Sequence, residues 1–67
     1  MKISINGNVR QLDSENMTIS ALVITLNLTG QRLAIEKNGE IVPRSQFDVV
    51  NLQDGDTLEI VGAVGGG

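Results

Sequence analysis

The residues of this chain best suited to chemistry stand at its last positions. Gly65, Gly66 and Gly67 close the sequence, directly after Ala63 and Val64. The chain contains no Cys and no His. Thiol nucleophiles, imidazole bases, disulfides and zinc sites of the usual ligand type are therefore excluded. What remains at the end is the carboxylate of Gly67. A carboxylate is inert at neutral pH until one oxygen becomes part of a leaving group, and adenylation by ATP is the general route. The sequence has no Gly-rich phosphate loop followed by Lys and Ser or Thr, so the chain itself should bind no cofactor and ATP should be used by a partner. Such a chain is a substrate or carrier rather than an enzyme.

Three consecutive glycines serve neither a strand nor a helix, because glycine loses the most conformational freedom on ordering. The segment should be mobile when free. Six residues from Gly62 span at most about 20 Å, enough to reach a recessed active site in another protein. Without Cβ atoms the segment can thread a narrow channel, and its terminal carbonyl is open to attack from either side. The competing reading is a frayed end or a cloning remnant.

Other constellations are weaker. Asp54 and Asp56 flank Gly55, a spacing that fits a tight turn better than a metal pair, because no further ligand lies nearby in sequence. No metal site is expected. Arg44 and Ser45 suit either a partner contact or a solvated loop.

Five Lys and Arg stand against eight Asp and Glu. After Arg44 come Asp48, Asp54, Asp56 and Glu59 with no further base. Nucleic-acid binders need clustered cations, and anionic lipid repels an acidic surface, so neither nucleic acid nor membrane is expected as a partner. A protein with a basic face fits by charge complementarity, while each acid taken singly also serves solubility. No targeting segment is visible and no run is long enough to cross a bilayer, which predicts a soluble, cytoplasmic protein.

The elements that must position the tail follow from pattern. Ile3 and Ile5 alternate with polar residues, Asn6-Gly7 is a type I′ turn signal, and Val9 and Leu12 follow, which predicts a hairpin. Thr18 can cap a helix running to Leu28, with Ile19, Leu22, Val23 and Leu26 on one face. Its β-branched residues lower helix propensity, so packing on a sheet must hold it. Leu33–Lys37 reads as a strand, Asn38-Gly39 as a second hairpin turn into Ile41-Val42, and Pro43 as its stop. Phe47, Val49 and Leu52 are apolar anchors in an irregular stretch. Asp54-Gly55-Asp56 turns into a last strand, Thr57–Val61. The order β-β-α-β-β-β predicts an α+β fold, the ubiquitin-like β-grasp, with a mixed sheet packed on one helix. Residues 1–61 form the domain and 62–67 its tail. Val61 and Val64 bracket the exit of the tail. With Glu59 and Ile41 they are the candidate docking residues. Alternation sends one of Ile41 and Val42 to the core and leaves open which.

Several of these segments carry a resemblance. Leu33–Ser45 (Leu-Ala-Ile-Glu-Lys-Asn-Gly-Glu-Ile-Val-Pro-Arg-Ser), then Asp54-Gly55-Asp56, then Glu59-Ile60-Val61, then Val64-Gly65-Gly66-Gly67 resemble the ThiS family of thiamine-biosynthesis sulfur carriers. The similarity extends over essentially the whole chain. A terminal Gly-Gly is common to all ubiquitin-like carriers. The spacing of Asn-Gly, Ile-Val-Pro-Arg-Ser and Asp-Gly-Asp from that end is more specific. Phe47 stands where Trp or Tyr is frequent, and the chain ends in three glycines where some members have two.

The resemblance implies a cycle. An E1-like adenylyltransferase (ThiF-like) converts the Gly67 carboxylate to an acyl-adenylate. A persulfide drawn from cysteine by a desulfurase displaces AMP and leads to a C-terminal thiocarboxylate. Thiazole synthase (ThiG-like) then takes up that sulfur. Gly65, Gly66 and Gly67 would be the part that enters each partner's active site. The small subunit of molybdopterin synthase uses the same fold and chemistry and is the nearest rival. A ubiquitin-like modifier and a plain interaction module are the others.

Overall fold

The computed structural model describes residues 1–62, and positions 63–67 of the expected tail lie outside the described residues. Two hairpins and one helix build the molecule. Strands β1 (Lys2–Ile5) and β2 (Asn8–Gln11) form the first hairpin. Asn6 at φ 51° and Gly7 at φ 86° take the positive angles that the turn demands. A two-residue strand β3 (Met17–Thr18) leads into helix α1 (Ile19–Thr25). The second hairpin joins β4 (Leu33–Lys37) to β5 (Glu40–Val42) through Asn38 at φ 53° and Gly39 at φ 86°. A 3-10 turn at Arg44–Gln46, strand β6 (Asn51–Leu52) and strand β7 (Thr57–Gly62) complete the described residues.

The main sheet has the order β2-β1-β7-β4-β5, with β1 and β7 parallel and the other pairs antiparallel. This is the mixed β-grasp sheet expected from the sequence. The last strand lies at its centre, paired with β1 at Thr57 and Leu58 and with β4 from Leu58 to Gly62. A second, two-stranded sheet pairs β3 with β6.

The helix is shorter than its pattern suggested. Thr18 caps the start as expected, its Oγ1 accepting from the Ala21 N–H at 3.1 Å. At the other end Asn27 adopts φ 61°, and the N–H groups of Leu28 and Asn27 donate to the carbonyls of Val23 and Ile24. That pair of bonds is a Schellman closure, which ends the helix after Thr25 while keeping Leu28 against the core. The periodicity therefore continues past the helix itself.

Between helix and sheet lie Ile3, Leu12, Ile19, Leu22, Ile35, Val42, Leu52, Leu58 and Ile60. Val42 is the inward member of its pair and Ile41 the outward one. One expected anchor differs. Val49 is exposed, and Val50 packs on the core instead. Both valines hang from a turn in which their N–H groups donate to the same Gln46 carbonyl, so a one-residue change in spacing selects the buried one.

Candidate functional site

The site is built on β7 and the strands beside it. Two asparagines fix β7 in place, and each also makes a hairpin turn. The Asn6 side chain accepts from the Ile60 N–H at 2.8 Å and donates to the Ile60 carbonyl at 2.9 Å. It continues the β1–β7 ladder past the point where the main chain turns away. On the other side Asn38 accepts from the Thr57 N–H at 2.9 Å and donates to the Asp56 carboxylate at 2.9 Å. An asparagine at positive φ thus shapes each turn and pins the strand that carries the tail.

Asp56 is 6% exposed, and its other oxygen accepts from the Gln53 N–H at 2.8 Å and lies 3.8 Å from Lys37 Nζ. Asp54 accepts from the Lys2 N–H at 2.7 Å. Both carboxylates thus serve the turn before β7. Among the described residues, no group of three or more His, Cys, Asp or Glu is placed to hold a metal ion.

Alternation along β7 sends Leu58 and Ile60 into the core and Glu59 and Val61 outward. Along β4 it sends Ile35 inward and Ala34 and Glu36 outward. Register then aligns them. Glu36 is opposite Glu59 on one side and Ile41 on the other, and Ala34 is opposite Val61. The structure so brings three of the candidate docking residues, Ile41, Glu59 and Val61, onto one open face of the sheet. Ile41 is 77% exposed and Val61 58% exposed. Val64, Gly65, Gly66 and Gly67 lie outside the described residues. The strand feeding them ends at Gly62, which is paired with Leu33.

Glu36 and Ala34 belong to this face and were missed as candidates. Their signal was present in the outward positions of Leu33–Lys37, but only the pairing with β7 places them beside Glu59 and Val61. On the helix side of the sheet, a cavity of about 550 Å³ is lined in part by Val23, Ile24, Phe47, Arg32 and Arg44. Ser20 donates a hydrogen bond to Asp48 at its rim, tying the start of α1 to the loop after the 3-10 turn. Among the described residues no helix is long and apolar enough to cross a membrane.

Similarity to known proteins agrees with this geometry. The sequence profile of the ThiS family matches residues 3–67. The sulfur carrier protein ThiS of Bacillus subtilis is 32% identical over 65 residues, covering 97% of this chain and 98% of that one. A thiazole synthase of Paramagnetospirillum magneticum is 46% identical over 67 residues. The match takes in all of this chain and only 20% of the length of that larger protein. The crystal structure of the thiamine biosynthesis protein ThiS of Geobacter metallireducens, 30% identical, matches with a TM-score of 0.88 and full coverage of both chains. With a profile that runs from the first strand through the final glycine, and a solved relative that shares the whole fold, the chain belongs to the ThiS family.

Proposed function

We propose that the chain is a sulfur carrier for building the thiazole ring of thiamine, and that Gly67 is the residue that carries the sulfur. The observation that bears most weight is the extent of the family match, which includes the terminal glycines as well as the folded body. Similarity over almost its full length to a Bacillus subtilis sulfur carrier supports the same reading over that of a molybdopterin-synthase subunit.

The chemistry runs in three steps. An E1-like adenylyltransferase joins the Gly67 carboxylate to AMP from ATP, releasing pyrophosphate. A persulfide, supplied from cysteine by a desulfurase, attacks the acyl carbon through its outer sulfur, and AMP leaves. A thiol then opens the resulting S–S bond, so that one sulfur stays on Gly67 as a thiocarboxylate. The thiocarboxylate is a stable and strongly nucleophilic store, and the carrier's lack of Cys leaves no internal thiol to attack the activated tail. Thiazole synthase accepts the sulfur. A stretch similar to this whole chain inside a protein named thiazole synthase supports that pairing. The carrier acts as a protein substrate in the cytoplasm, binding no cofactor of its own, with ATP held by the activating enzyme. Val61, Ile41 and Glu59 on the open face, with Val64, form its docking surface, and Gly65, Gly66 and Gly67 enter the partner's active site.

Intact mass tests the reading. With the activating enzyme, ATP, a desulfurase, cysteine and a thiol, the mass should rise by about 16 Da, the difference between oxygen and sulfur at the one carboxylate open to activation. The gain should map to Gly67. A gain elsewhere, or one that does not need ATP, would refute it.

A further inference from the structure

The open sheet face holds a combination that the fold does not require. Glu36 and Glu59 stand directly opposite each other on adjacent antiparallel strands, both exposed. Side chains so placed have Cβ atoms about 4.5–5.5 Å apart, and like charges there destabilise the sheet. Among the described residues no cation lies within salt-bridge distance of either. Lys37, the nearest cation in sequence to Glu36, points to the opposite face and lies against Asp56. On two sides the acid pair is bordered by apolar surface, with Ile41 beside Glu36 and Val61 with Ala34 in the next row toward Gly62, while Thr57 holds the outward position before Glu59 on β7.

From this we infer that Glu36 and Glu59 together receive an arginine side chain of the adenylating enzyme, with Ile41 and Val61 packing against the apolar surface around it. The inference rests on the sulfur-carrier reading and adds Glu36 as a specificity-determining residue. Arginine suits the place because its planar fork can donate to a carboxylate on each side, while its weakly hydrated face tolerates apolar neighbours. One guanidinium would relieve the repulsion between the two acids. The activating enzyme is the occupant because of what it must recognise. Before activation the tail offers only a carboxylate on glycines, which any Gly-Gly terminus would supply, so selection has to come from the body. The sulfur acceptor can recognise the thiocarboxylate itself. The position fits as well, since Val61 is followed only by Gly62 in β7, the strand that feeds the tail.

The test is a calorimetric titration of the complete chain with its adenylating enzyme at low and moderate salt, using E36Q, E59Q and the double variant, beside thermal melts of the free proteins. Each single variant should bind about tenfold more weakly, with a shallower salt dependence, because a paired and partly desolvated charge is lost. The double variant should lose less than the sum, since one cation serves both acids. Melting temperatures should be unchanged or higher. Binding within twofold of wild type would overturn the inference, as would a loss of affinity that follows a loss of stability. Affinity lost for thiazole synthase and kept for the adenylating enzyme would overturn the choice of occupant. Wild-type chain that is not adenylated at all would sink the carrier reading and this inference with it, whereas normal adenylation with unaffected Gln variants sinks the inference alone.

Discussion

The two faces of the sheet are written by the same strands and obey different rules. In β7, Leu58 and Ile60 face the helix while Glu59 and Val61 face away, and β4 divides Ile35 from Ala34 and Glu36 in the same manner. Every inward residue here is explained by packing. Leu58 is fully buried among Ile3, Ile35 and Leu22, and a substitution that alters its volume has no free space to use. The outward residues have no such explanation. Exposed Ile41 and Val61 and two facing glutamates do nothing for the isolated fold, and the acids oppose it. On the proposed reading, the inner face of each strand sets stability and the outer face sets recognition.

The sharpest way to break that comparison is a matched pair of truncations on one strand. L58A should cost about 3 kcal/mol, a large share of what a small domain has, because it removes buried methyl groups and leaves a cavity in the middle of the core. V61A should cost less than about 0.5 kcal/mol. Urea denaturation with unchanged slopes measures both. Comparable losses would show that the open face contributes to the fold.

The asparagine clamps come next in size, and they separate the two edges of β7. Replacement by Gly keeps the positive φ that each turn needs and removes only the side-chain bonds. N38G should cost about 2 kcal/mol, since the buried Asp56 carboxylate loses a donor and the Thr57 N–H loses its acceptor. N6G should cost about 1 kcal/mol, as the groups it abandons are the uncharged N–H and carbonyl of Ile60. Equal effects would mean that the charge of Asp56 adds nothing to the clamp.

These clamps also mark where reading the sequence stops. Asn6-Gly7 and Asn38-Gly39 announce hairpin turns because the positive angles are a local demand met by local residues. The Thr18 cap is legible for the same reason, and so is the alternation of Leu33–Lys37. The second task of each asparagine is not local. It depends on a strand some fifty residues away for Asn6. Nor does the sequence reveal β3 and β6, since two-residue strands show no period and exist only as partners. Asp56 reads as one more solvated acid until Asn38, Lys37 and the Gln53 N–H surround it. The candidate site divides in the same way. The terminal glycines stand out by composition, Val61 and Glu59 by alternation. That Glu36 faces Glu59, and that Ile41 rather than Val42 joins them, follows from register between strands.

The smallest effect on stability should accompany the greatest effect on function. Removing Gly66 and Gly67 deletes no side chain, and both follow the strand that the sheet holds through Gly62. The melting curve should shift by less than about 0.5 kcal/mol in free energy, while sulfur loading should vanish because the acyl group no longer reaches the activating centre. A second variant excludes mere shortening. G66V keeps the length and the terminal carboxylate but adds a β-branched side chain, which narrows φ and ψ and widens the tail next to its tip. The variant should still bind the adenylating enzyme, since Ile41, Glu59 and Val61 are intact, and should fail in ATP–pyrophosphate exchange. Normal exchange by G66V would refute threading through a narrow channel. A marked loss of stability on deleting the two glycines would break the comparison itself, because residues assigned wholly to recognition would then be holding the fold.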